Sequence, residues 1–122
     1  MTTTTERPPF DLSVSDHDGV KIFHLKGRLM DQQQADHLMQ VLDEHLSGST
    51  TNVVLDMAEL QYMNSTGLNI MISVLTRTRK SGGEVVLAGL SMGVRQLFVV
   101  TKLDTVFRIT DHVEGALALL RG

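Results

Sequence analysis

The sequence predicts an α/β fold: a single domain on a mixed β-sheet of about five strands, with about four helices packed on one side. Three observations lead there. Two strand-like segments meet at Asp18 and Gly19, the remainder alternates short β-branched runs with segments of helical period, and 122 residues suffice for one hydrophobic core. The order along the chain is strand, strand, helix, strand, helix, strand, helix, strand, helix. Such an order implies parallel pairs wherever a helix makes a right-handed crossover.

Residues 1–9, MTTTTERPP, carry no apolar run and no signal-peptide pattern, so they read as a disordered tail and the domain is expected over residues 10–122. Phe10, Leu12 and Val14 alternate with Asp11, Ser13 and Ser15, the period of a half-buried strand. Asp16 to Gly19 supply turn chemistry, and Val20 to Leu25 return as the second strand of a hairpin that Gly27 ends. Asp31 and Gln34 form a capping-box pattern ahead of Ala35, Leu38, Met39, Leu42, His45 and Leu46, which fall at helical spacing up to Gly48. Thr51 to Leu55 reads as a buried strand, and Met57 to Met63 as a loop.

Leu68, Met71, Ile72 and Leu75, widened by Ile70 and Val74, make one stripe of the next helix, with Asn69, Ser73, Thr76 and Arg77 on the opposite arc. Ser81, Gly82 and Gly83 stop it. Glu84 to Ala88 is another buried strand. Ser91 caps a helix in which Val94, Leu97 and Phe98 share a face, and Phe107 to Ile109 form a short strand. Asp111 with Glu114 suggests a second capping box before a closing helix carrying Val113, Ala116, Leu117 and Leu120.

Composition narrows the function. A formal charge of −3 argues against direct nucleic-acid binding, and an aromatic content of 4% with no Trp argues against base-stacking platforms. With no Cys there is no disulfide framework and no thiolate metal site, which suits a cytoplasmic protein. The uncharged stretch from Leu60 to Thr76 is interrupted by Gln61, Asn64, Ser65, Thr66, Asn69 and Ser73, so membrane insertion is not expected. His17, His24, His37, His45 and His112 show no metal-ligand spacing, and no phosphate-binding loop or nucleophile elbow is present. No catalytic residue, cofactor or metal is therefore assigned. Asp56, at the end of a predicted strand, reads as a lone carboxylate that takes a backbone N–H, with no base near it.

The informative segment is the start of the central helix. One of Asn64, Ser65 and Thr66 caps it by accepting an orphan backbone N–H, and an ordinary cap accounts for the three by itself. Gly67 and Thr66 leave little bulk beside Ser65, and Asn69 with Ser73 keep the exposed arc small and neutral, as a contact surface requires. A serine there also suits a switch. Phosphorylation adds about −1.5 to −2 charges, which a helix N-terminus stabilises by about 1 kcal/mol within the domain, whereas a partner packed on the site must accommodate a hydrated dianion.

These residues resemble the STAS domains, and among them the stand-alone anti-sigma factor antagonists. The resemblance is carried by Gly27, Arg28 and Leu29, by Val53 to Asp56, by Val85 to Leu90 and by Leu103, Asp104, Val106 and Phe107. Its most specific element is Met63, Asn64, Ser65, Thr66, Gly67 and Leu68, which looks like the family's phosphorylation motif of acid, Ser, Ser or Thr, Gly, Leu. It implies partner switching: the unphosphorylated antagonist binds a serine-kinase anti-sigma factor and frees the sigma factor. Phosphorylation at Ser65, with Thr66 as the alternative acceptor, ends binding, and a metal-dependent serine phosphatase resets the cycle. ATP and metal belong to those partners. The implied partner surface is Asn64, Ser65, Thr66, Gly67, Asn69 and Ser73. Asn64 stands where the family usually has Asp, which keeps the capping shape and drops a charge. The alternative function is a non-switching STAS subunit, either a scaffold of a sensory complex or an accessory subunit of a membrane lipid transporter.

Overall fold

The computed structural model describes residues 10–46 and 51–121. The expected tail at residues 1–9 and the expected helix end at Gly48 lie outside the described residues. The hairpin comes first: β1 (Phe10–His17) and β2 (Val20–Leu29) pair antiparallel around Asp18 and Gly19, which take φ of 53° and 86°. Two successive left-handed residues give the turn whose twist matches its strands, and an Asp-Gly pair is suited to it.

Beyond the hairpin come α1 (Gln32–Leu46), β3 (Val53–Met63), α2 (Ser65–Lys80), β4 (Val85–Ala88), α3 (Met92–Val100), a 3₁₀ turn (Leu103–Thr105), β5 (Arg108–Thr110) and α4 (Val113–Arg121). The strands lie in sequence order, β1-β2-β3-β4-β5, and every pair after the hairpin is parallel. Both ends of the Asp31–Gln34 box close: the Gln34 N–H donates to Asp31 Oδ1 at 2.9 Å, and the Asp31 N–H to Gln34 Oε1 at 3.2 Å. Ser91 Oγ accepts from the Val94 N–H at 3.2 Å.

Alternate residues of the strands face two separate apolar clusters. Phe23, Leu25, Val53, Leu55, Val85 and Leu87 pack with Leu38 and Leu42 of α1, Met71 and Val74 of α2, and Val94 and Phe98 of α3. Ile22, Val54, Val86 and Ala88 pack on the other face against Ala116 and Leu117 of α4. The expectation of helices on one side therefore holds for α1 to α3 and is corrected for α4. Right-handed crossovers between sequential parallel strands force their helices onto one face. No strand follows α4, so it folds over the opposite face, where the side chains of the same buried strands would otherwise meet water.

Three further expectations change. The segment Met57 to Met63 continues β3 instead of forming a loop, and β2 runs past Gly27 to Leu29. His24 and Lys26 of β2 face Asp56 and Glu59 of β3, then Gly27 and Arg28 face Leu60 and Tyr62, so β3 carries an extra residue at each of two bulges. From the first bulge onward the buried positions fall at Met57, Leu60 and Met63, a spacing that disguises a strand. Finally, α4 does not start from the Asp111–Glu114 box. Its first turn is set by the His112 carbonyl, which accepts from Gly115 and Ala116 N–H at 3.1 and 3.2 Å.

Candidate functional site

The site grows from the carboxyl end of the central strand. Met63 is buried at the end of β3 and the chain turns directly into α2. Asn64 is the N-cap, with extended backbone (φ −111°, ψ −164°) and Oδ1 accepting from the Gly67 N–H at 3.2 Å. Its Nδ2 donates to the Met30 carbonyl at 3.0 Å, so the cap is also tied to the connection between β2 and α1. The choice among three capping residues thus falls on Asn64, and Ser65 is left as the first helical residue with an exposed side chain.

Gly67 lies behind this surface, not on it. It is buried, and a Cβ there would come within 2.7 Å of the Leu29 carbonyl oxygen and 2.8 Å of Met63 Cβ. Its place among the expected contact residues is corrected: it lets the first turn of α2 sit tight against β2 and β3, which fixes where Ser65 stands. Thr66 is half-buried. Asn69 and Ser73 are exposed on the same helical stripe as Ser65, one and two turns further on, and the Ser73 hydroxyl donates to the Asn69 carbonyl at 3.2 Å.

Ser65 opens onto a cleft of about 520 Å³ between the end of β3 and α3, lined by Gln61, Tyr62, Met63, Asn64, Gly93, Val94, Gln96, Leu97 and Val100 as well. Asn69 and Ser73 do not line it. The far wall is apolar and open: Val100 is 66% exposed, and next to it Val99 is 46% exposed. Tyr62, 46% exposed, carries the Arg28 guanidinium 5.6 Å above its ring. No acidic side chain sits in the first turn of α2, so its positive end is uncompensated beside the Ser65 hydroxyl. The α3 wall went unread in the sequence, although the run Leu97, Phe98, Val99 and Val100 signals it: four consecutive apolar residues span more of a helix than one buried face can cover.

Asp56 stands elsewhere, on the sheet face turned toward α4. Its Oδ1 accepts from the Ala58 N–H at 3.2 Å, the backbone role expected of it. A base does lie near it, which corrects the other half of that reading: His24 Nδ1 is 2.8 Å from Asp56 Oδ2, because parallel pairing sets His24 opposite Asp56. Among the described residues no cluster of three or more His, Asp or Glu is arranged to hold a metal ion, and no helix is long and apolar enough to cross a membrane.

A small α/β domain that opens a part-apolar cleft beside an exposed hydroxyl at a helix start has the makings of a protein-docking module. The chain belongs to the STAS domain family, whose family model matches residues 11–116. It is 30% identical to an anti-sigma-B factor antagonist of Listeria monocytogenes, over 86% of this chain and 90% of that one. Its structure is similar to the crystal structure of an anti-sigma factor antagonist from Mycobacterium paratuberculosis, with a TM-score of 0.81 and 25% identity over 93% of this chain and 95% of that one. The Bacillus cell fate determinant SpoIIAA in its phosphorylated form shares the fold, with a TM-score of 0.69 and 14% identity over 89% of this chain and 99% of that one.

Proposed function

We propose that the chain is a cytoplasmic anti-sigma factor antagonist that works by partner switching. In its unphosphorylated form it binds a serine-kinase anti-sigma factor and so releases the sigma factor. Transfer of phosphate to Ser65 ends that binding, and a metal-dependent serine phosphatase restores it. Asn64, Thr66, Asn69 and Ser73 extend the contact surface around Ser65. Similarity to anti-sigma factor antagonists supports the class of partner.

One observation carries the reading: Ser65 is exposed on the rim of the cleft while Asn64, not Ser65, caps α2. The hydroxyl is therefore spared from holding the helix. A phosphate on it meets the uncompensated N-terminus of α2, a gain of about 1 kcal/mol at most for an exposed group, so the domain keeps its fold. A partner seated in the apolar cleft instead has to bury or displace a hydrated dianion at its edge, which weakens binding by several kcal/mol.

The test is incubation with the cognate kinase and ATP, followed by phosphopeptide mapping. Phosphate is expected on Ser65, with Thr66 unmodified. Ser65→Ala should retain kinase binding and Ser65→Asp should weaken it. Equal affinity of the two variants sinks the switch, and copurification with membrane ATPase subunits instead of a soluble kinase favours a non-switching STAS subunit.

A further inference from the structure

The half of the α4-facing sheet surface that α4 leaves open holds a second polar constellation, independent of Ser65. Ser13 and Ser15 of β1, His24 and Lys26 of β2, and Asp56 of β3 share this face, because cross-strand partners Ser13 and His24, Ser15 and Ile22, and His24 and Asp56 point the same way. Ser15 Oγ lies 3.0 Å from His24 Nε2, and His24 Nδ1 lies 2.8 Å from Asp56 Oδ2. Asp56 is itself held through Oδ1 by the Ala58 N–H at 3.2 Å. With the imidazole proton on Nδ1 toward the carboxylate, Nε2 is the acceptor for the Ser15 hydroxyl. Nucleophile, base and orienting carboxylate are thus connected in the order that activates a serine.

We propose that Ser15, with His24 as its base, is an acylatable serine that hydrolyses small activated esters. Ser15 does not line the cavity of about 330 Å³ that Ser13, His24, Lys26, Asp56 and Glu59 border on this face, so the substrate class is limited to small esters activated by their own leaving group. Ser15 is exposed on the edge strand of the sheet, so a carbonyl carbon has free approach to Oγ. As the Oγ–C bond forms, the Ser15 proton moves to His24 Nε2. The bond from the carbonyl carbon to the leaving oxygen then breaks, and His24 returns its proton to that oxygen. Water attacks the acyl-serine by the same route, giving the carboxylic acid and the free hydroxyl. Asp56 is a positioning residue: it holds the ring.

The experiment uses 4-nitrophenyl acetate with the full chain, reading nitrophenolate release and acetyl-peptide mass spectra. The expected result is acetyl on Ser15 and release roughly 100-fold above that of Ser15→Ala and His24→Gln, a size typical of positioned acid–base catalysis. Asp56→Asn should lower kcat while KM and the circular dichroism spectrum stay unchanged. A second variant, Ser15→Cys, should react with iodoacetamide faster when His24 is present than in the double variant with His24→Gln. Equal release by the protein and Ser15→Ala, acetyl confined to lysines, or a Ser15→Cys thiol indifferent to His24 overturns the proposal and leaves the reading of Ser65 untouched.

Discussion

Asn64 and Met30, separated by 34 positions in sequence, are joined by a hydrogen bond of 3.0 Å from the Asn64 amide to the Met30 carbonyl. The bond uses a donor that an Asp side chain at this position would lack. Asn64 thus serves twice: one side chain caps α2 through its oxygen and anchors the cap to the β2–α1 connection through its nitrogen.

Asn64→Ala is expected to lower stability by about 1–2 kcal/mol, from the lost cap and the lost tie together. Asn64→Asp should cost less, since it keeps the bond to the Gly67 N–H and adds a favourable charge at the helix start, while losing the donor to Met30. Urea unfolding of the three proteins checks the order. An Asp variant less stable than the Ala variant would contradict it.

Gly67→Ala should destabilise the domain although Ala is the better helix former by about 1 kcal/mol. The added Cβ would stand 2.7 Å from the Leu29 carbonyl oxygen, which is backbone, and 2.8 Å from Met63 Cβ. Overpacking of this kind typically costs about 1–3 kcal/mol. Thermal melting gives the sign directly, and a raised Tm would refute the close approach.

Thr78→Val should stabilise by about 1 kcal/mol. Thr78 is fully buried on α2 and its hydroxyl has no hydrogen-bond partner, so a methyl in its place removes a desolvated polar atom. The lower helix propensity of Val offsets only part of that gain. Denaturant midpoints at constant m-value are the measurement.

Stability should fall on acidification through the carboxylates of Glu84 and Asp16. Burial works to raise the Glu84 value, but hydrogen bonds from Arg79 and the Val85 N–H, with the charges of Arg79 and Arg108, outweigh it and hold the carboxyl below its usual range. Lys21 and the Gly19 N–H do the same for Asp16. A carboxyl that binds its proton more weakly folded than unfolded stabilises the domain above its unfolded value, and that contribution is lost as pH falls through the folded value. Glu84→Gln should therefore show a shallower loss of Tm from neutral to acid pH. A slope as steep as that of the parent chain would count against the pairing.

Much of the fold was legible because the signals are local. The Asp18–Gly19 turn, the Asp31–Gln34 box, the Ser91 cap and most of the stripe on α2 are each decided within a few residues by backbone sterics and orphan N–H groups; Ile72, expected on that stripe, is instead 38% exposed. The length of β3 was not legible, since two bulges break the period of two on which a strand is read.

The sequence by itself determined the family, the class of fold and the serine at the start of the middle helix, because motif, period and capping chemistry are all short-range. Only the tertiary structure decided that α4 covers the face opposite the other helices, that α3 walls the cleft beside Ser65, and that His24 links Ser15 to Asp56. These depend on which strands pair and in what register, and register is set by burying two faces of one sheet at once, a condition no single segment carries.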